Sequence, residues 1–280
     1  MNALELKNVT KHFPGFTLDN INLTLPSGCI LGLIGENGAG KSTTIKLILD
    51  ILHKDSGSIT ILGKDNTDNM RLTKEDIGVV FDEVGIPGCM TVPEVGKVMK
   101  LTFQNWDEGT YEDLIRKMSL PTDKRFQDFS RGMKMKLGIA VALSHDSKLL
   151  LLDEATSGLD PVARDEVIEM FSEFTRNENH SILISSHIVS DLEKLCDTIA
   201  FIHKGKLLLC EEKDQLLSEY GLIHCTKEQL KDLDPAAVKH VKENPYGAEV
   251  MVLRDKIPAF FEVRPISIEE LFVFMIKEVK

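Results

Sequence analysis

Ile30-Leu31-Gly32-Leu33-Ile34-Gly35-Glu36-Asn37-Gly38-Ala39-Gly40-Lys41-Ser42-Thr43 decides the fold. Its first five residues are apolar on both faces, which suits a strand covered on each side. Next comes Gly-x-x-x-x-Gly-Lys-Ser in full, and then a helical pattern running from Lys41 to Ile51. Glycines let backbone amides turn inward around phosphate oxygens, and the following helix N-terminus favours negative charge. Lys41 is placed to reach the β- and γ-phosphates of a nucleotide, and the Ser42 hydroxyl suits Mg²⁺. A chance glycine turn lacks the strand before it and the helix after it. Gly35, Glu36, Asn37, Gly38, Ala39, Gly40, Lys41, Ser42 and Thr43 are therefore the candidate nucleotide-binding residues.

Outward from this loop, compact apolar runs alternate with helical patterns. The runs are Ile77–Phe81, Leu149–Leu152, Ile182–Ser185 and Thr198–Ile202. The helical patterns are Val92–Gln104, Arg131–Leu143, Pro161–Arg176 and Val189–Cys196. This alternation predicts an α/β fold on a parallel sheet. Lys148-Leu149-Leu150-Leu151-Leu152-Asp153-Glu154 describes a central strand delivering two carboxylates to its C-terminal edge, where such sheets bind ligands. Asp153 suits the hydration shell of Mg²⁺, and Glu154 suits the orientation or deprotonation of an attacking water. Alone, an acid pair there reads as an ordinary sheet edge; after a phosphate loop it reads as a catalytic pair.

The 280 residues carry 33 basic and 44 acidic side chains, a formal charge of −11. At 42% apolar and 28% charged, the chain is neither disordered nor fibrous. The acidic balance argues against nucleic acid as a partner. No apolar run approaches the ~18 residues a membrane span needs. Acidic Glu5 stands where a secretory signal is basic and then apolar. The five cysteines are odd in number and form no Cys-x-x-Cys pair, which predicts reduced thiols in a cytoplasmic protein.

From about Leu4 to Leu209 the chain resembles the ATP-binding subunit of an ABC transporter. The resemblance implies a P-loop core with an antiparallel β subdomain, ATP and Mg²⁺ at the loop, and further site residues. Phe129-Ser130-Arg131-Gly132-Met133 stands where the family has Leu-Ser-Gly-Gly-Gln, the signature that meets the γ-phosphate of ATP on the opposite subunit. Ser130 and Gly132 are kept. Arg131 reads either as a phosphate partner or as a solvated helix charge. Ser157-Gly158-Leu159-Asp160 resembles the D-loop, while Asp160 also suits a plain N-cap. His187 matches the switch histidine. Asp82 occupies the position of the family's Q-loop Gln; it is expected as a Mg²⁺ neighbour, with a solvent-facing or pore-contacting role as alternatives. Phe13 resembles the aromatic that stacks on adenine, with Phe16 as competitor.

The resemblance further implies a head-to-tail pair of ATP-binding subunits, homomeric or heteromeric, and a separate integral-membrane permease, which places the chain on the inner face of the membrane. The signature form and the ending Ile266–Phe272 are similar to those of bacterial exporter ATPases, including phenol-soluble-modulin and antibiotic-peptide exporters. The expected organisation is an ATP-binding domain over 1–210, with a mostly helical subdomain at about 83–147, and an accessory α/β region over 211–280. That last region is expected to hold capping boxes at Thr226/Gln229 and Ser267/Glu270, and strands Glu249–Leu253 and Phe260–Val263. The competing classes are a soluble non-transport ABC ATPase, which lacks its coiled-coil, zinc or tandem-loop features here, and a P-loop kinase, which has no use for Ser130 and His187.

Overall fold

The computed structural model describes residues 1–67, 74–245 and 247–278. Strands β1 (Asn2–Phe13), β2 (Phe16–Pro26), β4 (Ser56–Ile61) and β5 (Lys64–Asp65) form an antiparallel sheet ordered β2-β1-β4-β5. The central sheet combines β3 (Ile30–Ile34), β6 (Ile77–Val80), β7 (Leu149–Asp153), β8 (Ser181–Ser186), β9 (Thr198–His203) and β10 (Lys206–Glu212). Its order is β10-β9-β3-β8-β7-β6, parallel except for β10, which runs antiparallel at the edge.

Alternation along the central strands divides the interior in two. Ile30 and Ile34 of β3 and Leu150 and Leu152 of β7 point into one core; Leu31, Leu33, Leu149 and Leu151 point into the other. Both faces are thus covered, which is why these strands read as unbroken apolar runs. The second core also takes Leu4, Leu6, Leu23 and Leu25 from the antiparallel sheet, together with Ile45 and Ile48 of helix α1 (Lys41–Ile48). That helix stops earlier than its periodicity suggests. Asp50 adopts a left-handed φ of 52°, and the buried Asn66 amide donates to the carbonyls of Leu47 (2.8 Å) and Ile48 (3.2 Å), closing the C-terminus.

Between β6 and β7 lie α2 (Val92–Thr102), α3 (Glu108–Lys117) and α4 (Arg131–Leu143). The Glu94 carboxylate accepts from the Thr91 amide at 2.8 Å to open α2, and Asp107 caps α3 through Thr110 at 3.0 Å. Helices α5 (Pro161–Phe174) and α6 (Val189–Leu195) follow β7 and β8.

Beyond β10 come α7 (Lys213–Glu219), β11 (Tyr220–Cys225), α8 (Lys227–Asp232), β12 (Val238–Asn244), β13 (Gly247–Leu253), β14 (Arg264–Pro265) and α9 (Ile268–Glu278). The four strands form an antiparallel sheet ordered β12-β13-β11-β14. The expected strand at Phe260–Val263 does not form: the Phe261 amide turns back to the Pro258 carbonyl at 3.0 Å, and pairing with β11 is left to Arg264 and Pro265. Ile268 and Leu271 of α9 are fully buried in the first core, and the Phe272 ring meets Phe201 of β9 at 5.1 Å. All five cysteines are free thiols. Among the described residues no helix is long and apolar enough to cross a membrane.

Candidate nucleotide site

The loop between β3 and α1 is a tight cradle. Its Ala39 amide donates to the Glu36 carbonyl at 3.1 Å, and the Ala39 carbonyl accepts from the Gly205 amide at 2.9 Å. Gly205, in the β9–β10 turn, accepts in turn from the Asp19 amide of β2 at 2.8 Å, so the loop is stitched to two sheets. Gly40 stands at the N-cap of α1 with φ 117°, a conformation that side chains disfavour, and a Cβ there would lie 2.8 Å from Leu18. No side chain caps this helix end. Its first-turn amides, at Lys41, Ser42 and Thr43, have no intrahelical carbonyl to meet, which suits an anion.

Lys41 is only 6% exposed. Its ammonium donates to the Gly35 carbonyl at 2.8 Å and lies 3.4 Å from a carboxylate oxygen of Glu154. The other oxygen of Glu154 contacts His187 Nδ1 at 2.6 Å and the His187 amide at 3.3 Å. The acid is therefore held between the phosphate-loop lysine and the histidine that follows β8. Glu154 itself has φ 56°, the left-handed region that non-glycine residues seldom occupy. Its amide donates to the Ser185 carbonyl at 3.0 Å, which fixes the chain as it leaves β7. Asp153 is buried, and one of its oxygens accepts from the Ser185 hydroxyl at 2.6 Å.

A hard cation bound to a triphosphate needs few protein ligands, because Mg²⁺ keeps several waters and takes phosphate oxygens. A hydroxyl at the start of α1 and a carboxylate at the end of β7 fit that requirement. No cluster of three or more acidic, His or Cys side chains suited to a metal occurs among the described residues, and none is needed.

The remaining candidates occupy the rim. Ser130 caps α4, accepting from the Met133 amide at 3.2 Å. Asp160 caps α5, accepting from the amides of Val162 and Ala163 at 3.1 Å each; chiefly the Ala163 amide holds its carboxyl below the usual range. The Gly132 backbone lies against the Gly158 carbonyl, so the two turns touch. Asp82, expected beside Mg²⁺, has its carboxylate on the Arg131 guanidinium. Phe16 packs into the second core beside Gly40, whereas Phe13 is half-buried at the β1–β2 turn, 6.2 Å from Phe16 and outside both cores.

Comparison with known proteins places these features in a family. A model of the ABC transporter family matches residues 18–157. The chain is 39% identical over 214 residues to a lantibiotic transport ATP-binding protein, SrtF, of Streptococcus pyogenes, covering 75% of this chain and 91% of that protein. The chain belongs to the ABC transporter ATP-binding family. An ABC transporter ATP-binding protein of Bacillus subtilis, YhcH, uncharacterised, is 29% identical over 98% of this chain and 91% of its own length, so the likeness extends through the C-terminal region. The solved structure of an ATP-binding subunit of an ABC transporter superposes with a TM-score of 0.70 at 27% identity, over 76% of this chain and 91% of that one. The fold is thus the mixed α/β ABC ATPase fold with an added C-terminal antiparallel sheet, and the chain is an ABC-type ATPase subunit coupled to transport.

Three contacts of this ABC cassette were not anticipated from its sequence. Ser185 orients Asp153; buried His203 lies 3.1 Å from the carboxylate of Glu36, though not aligned as a hydrogen bond; and Arg131 joins Asp82 to Ser157. Ser185 was signalled by its place in Ser185-Ser186-His187, one strand over from Asp153. The other two join distant stretches with no shared motif.

Proposed function

We propose that this subunit powers export of a peptide or drug-like molecule, working with an integral-membrane permease and a second ATP-binding subunit on the inner face of the cell membrane. The observation that carries the catalytic part is Glu154, presented at the end of β7 between Lys41 and His187. In this reading ATP draws the Lys41 ammonium from Glu154 and Gly35 onto its phosphates. That frees one carboxylate oxygen to accept a proton from the attacking water, while His187 steadies the other. Ser42 and Asp153 hold Mg²⁺, which neutralises phosphate charge when bound. The amides of Gly38, Gly40, Lys41, Ser42 and Thr43 receive the phosphates, with Gly35, Glu36, Asn37 and Ala39 shaping the loop around them. Phe13, the ring outside the core, stacks on the base. Ser130 and Gly132 face the nucleotide of the second subunit, beside Asp160.

The transported class is supported by the likeness to a lantibiotic transport protein and by the Phe-Ser-x-Gly-Met signature. A kinship with phenol-soluble-modulin exporters belongs to the same proposal, on the signature and the C-terminal Ile266–Phe272. The test is Mg²⁺-dependent ATP hydrolysis by the purified chain, alone and with its permease in liposomes, with and without a cationic peptide substrate. Peptide-stimulated hydrolysis is expected, and Glu154→Gln should accumulate as an ATP-bound dimer. Phosphoryl transfer to small acceptors, or no hydrolysis in either setting, would sink the reading.

A further inference from the structure

Asp82 and Arg131, which stand where the family has Gln and Gly, are brought together by the fold. Arg131 is the first residue of α4, next to Ser130. Its guanidinium holds the Asp82 carboxylate just after β6, and the same Nη2 lies 3.2 Å from the Ser157 hydroxyl in the turn that leads to Asp160. Its methylene stem lies over Gly158, with Cδ 2.9 Å from where a Cβ would stand. One side chain therefore spans the turn after β6, the signature and the turn before α5. All three lie at the nucleotide edge of the sheet, since β6 and β7 are parallel neighbours in register from Ile77 and Leu149.

The chemistry of the pair suits positioning rather than stability. Both side chains are about half exposed, and an exposed ion pair adds little to global stability. A planar guanidinium, however, presents donors in a fixed fork and fixes direction better than an ammonium. The charges also compensate each other. Asp82 alone would repel the triphosphate, and Arg131 alone would be an unbalanced cation beside the signature serine. Together they are neutral, as are the Gln and Gly they replace.

We propose that Arg131 is a positioning residue for ATP hydrolysis, tying the turn after β6, the signature and the Ser157–Asp160 turn into one unit, with Asp82 as its counter-ion rather than a metal ligand. This rests on the reading that paired cassettes hydrolyse ATP across the signature. A misplaced signature would weaken closure on ATP more than the chemical step.

The test is a double-mutant cycle on the full chain with Asp82→Ala, Arg131→Ala and both together, measured in two ways. Steady-state hydrolysis should show the ATP concentration for half-maximal rate raised about fivefold in each single variant, with kcat within twofold. The double variant should also rise about fivefold, because breaking the tie twice costs no more than once. A rise of about 25-fold in the double variant would mean the two side chains act independently and would overturn the proposal. So would a raised Mg²⁺ requirement in Asp82→Ala that Arg131→Ala does not share. In the nucleotide-free chain, hydrogen exchange at the amides of 157–159 should quicken several-fold in both single variants and in Arg131→Lys, which keeps the charge but loses the fork. Unchanged exchange overturns the tie. If the wild-type chain hydrolyses no ATP either alone or with its permease, the transport reading falls, while the exchange result still judges the tie.

Discussion

At the scale of single residues, the site turns on how Glu154 and Lys41 share their partners. Glu154 contacts Lys41 and His187 through different oxygens, so replacing it with Gln preserves shape but trades one accepting oxygen for a donor and removes the basic oxygen. General-base assistance contributes roughly 10²- to 10⁴-fold in rate. Glu154→Gln should lower kcat by that order while ATP affinity, measured by calorimetry, stays within a few-fold; wild-type turnover would remove Glu154 from the mechanism. Lys41 acts earlier. A hydrogen bond to a charged group contributes about 1.5–3 kcal/mol, so Lys41→Ala should weaken ATP binding by roughly ten- to a hundredfold in a direct titration. Its buried ammonium donates to the carbonyls of Gly35 and Glu36 and lies beside the Glu154 carboxylate, and an alanine satisfies none of them.

Among the elements, α5 offers the clearest titration. Asp160 caps it through two amides that lower the carboxyl pKa relative to the unfolded chain. A lowered folded-state pKa means the cap contributes fully above about pH 4, the ordinary Asp value, and is lost as pH falls through the lowered one. Asp160→Asn keeps an acceptor without the titration, so its Tm should fall less than that of wild type between pH 5 and pH 3. Parallel acid limbs would show that the cap carries none of the pH dependence. The same scale shows what was legible in the sequence. Strands β3, β7 and β8 could be read because burial on both faces leaves unbroken apolar runs, and the phosphate loop because its residues are contiguous. Phe260–Val263 misled because aromatic residues favour strands, whereas Pro258 set a turn there. Helix α3 was not delimited, since its polar face dominates Glu108–Lys117. The Asp82–Arg131 contact joins residues 49 positions apart, and no spacing rule announces it.

Across the whole molecule, the C-terminal region is part of the interior rather than a detachable flag. Helix α9 closes the first core with Ile268, Leu271 and Phe272, beside α6, the helix that starts just after His187. Replacing a buried Phe by Ala typically costs about 3–5 kcal/mol. Phe272→Ala should therefore shift the urea midpoint of the entire chain in one transition, with β9 and the C-terminal sheet losing protection together. A separate early transition confined to residues after 211 would show that α9 is not integral to the core.

The stitch between the phosphate loop and the β9–β10 turn has a consequence for genetics. Gly205 adopts φ 79°, and a Cβ there would stand 1.9 Å from the Thr17 carbonyl oxygen, a backbone atom with nowhere to go. In a saturation screen for transport, position 205 should tolerate no other amino acid, ranking beside Lys41 in severity. Lys41 would fail by losing its ligand with the protein intact, and Gly205→Ala by prising the loop from its support, so the soluble yield of each variant separates them. Intolerance at 205 would be a record of carpentry, and a map of essential positions drawn without the fold would mistake it for chemistry.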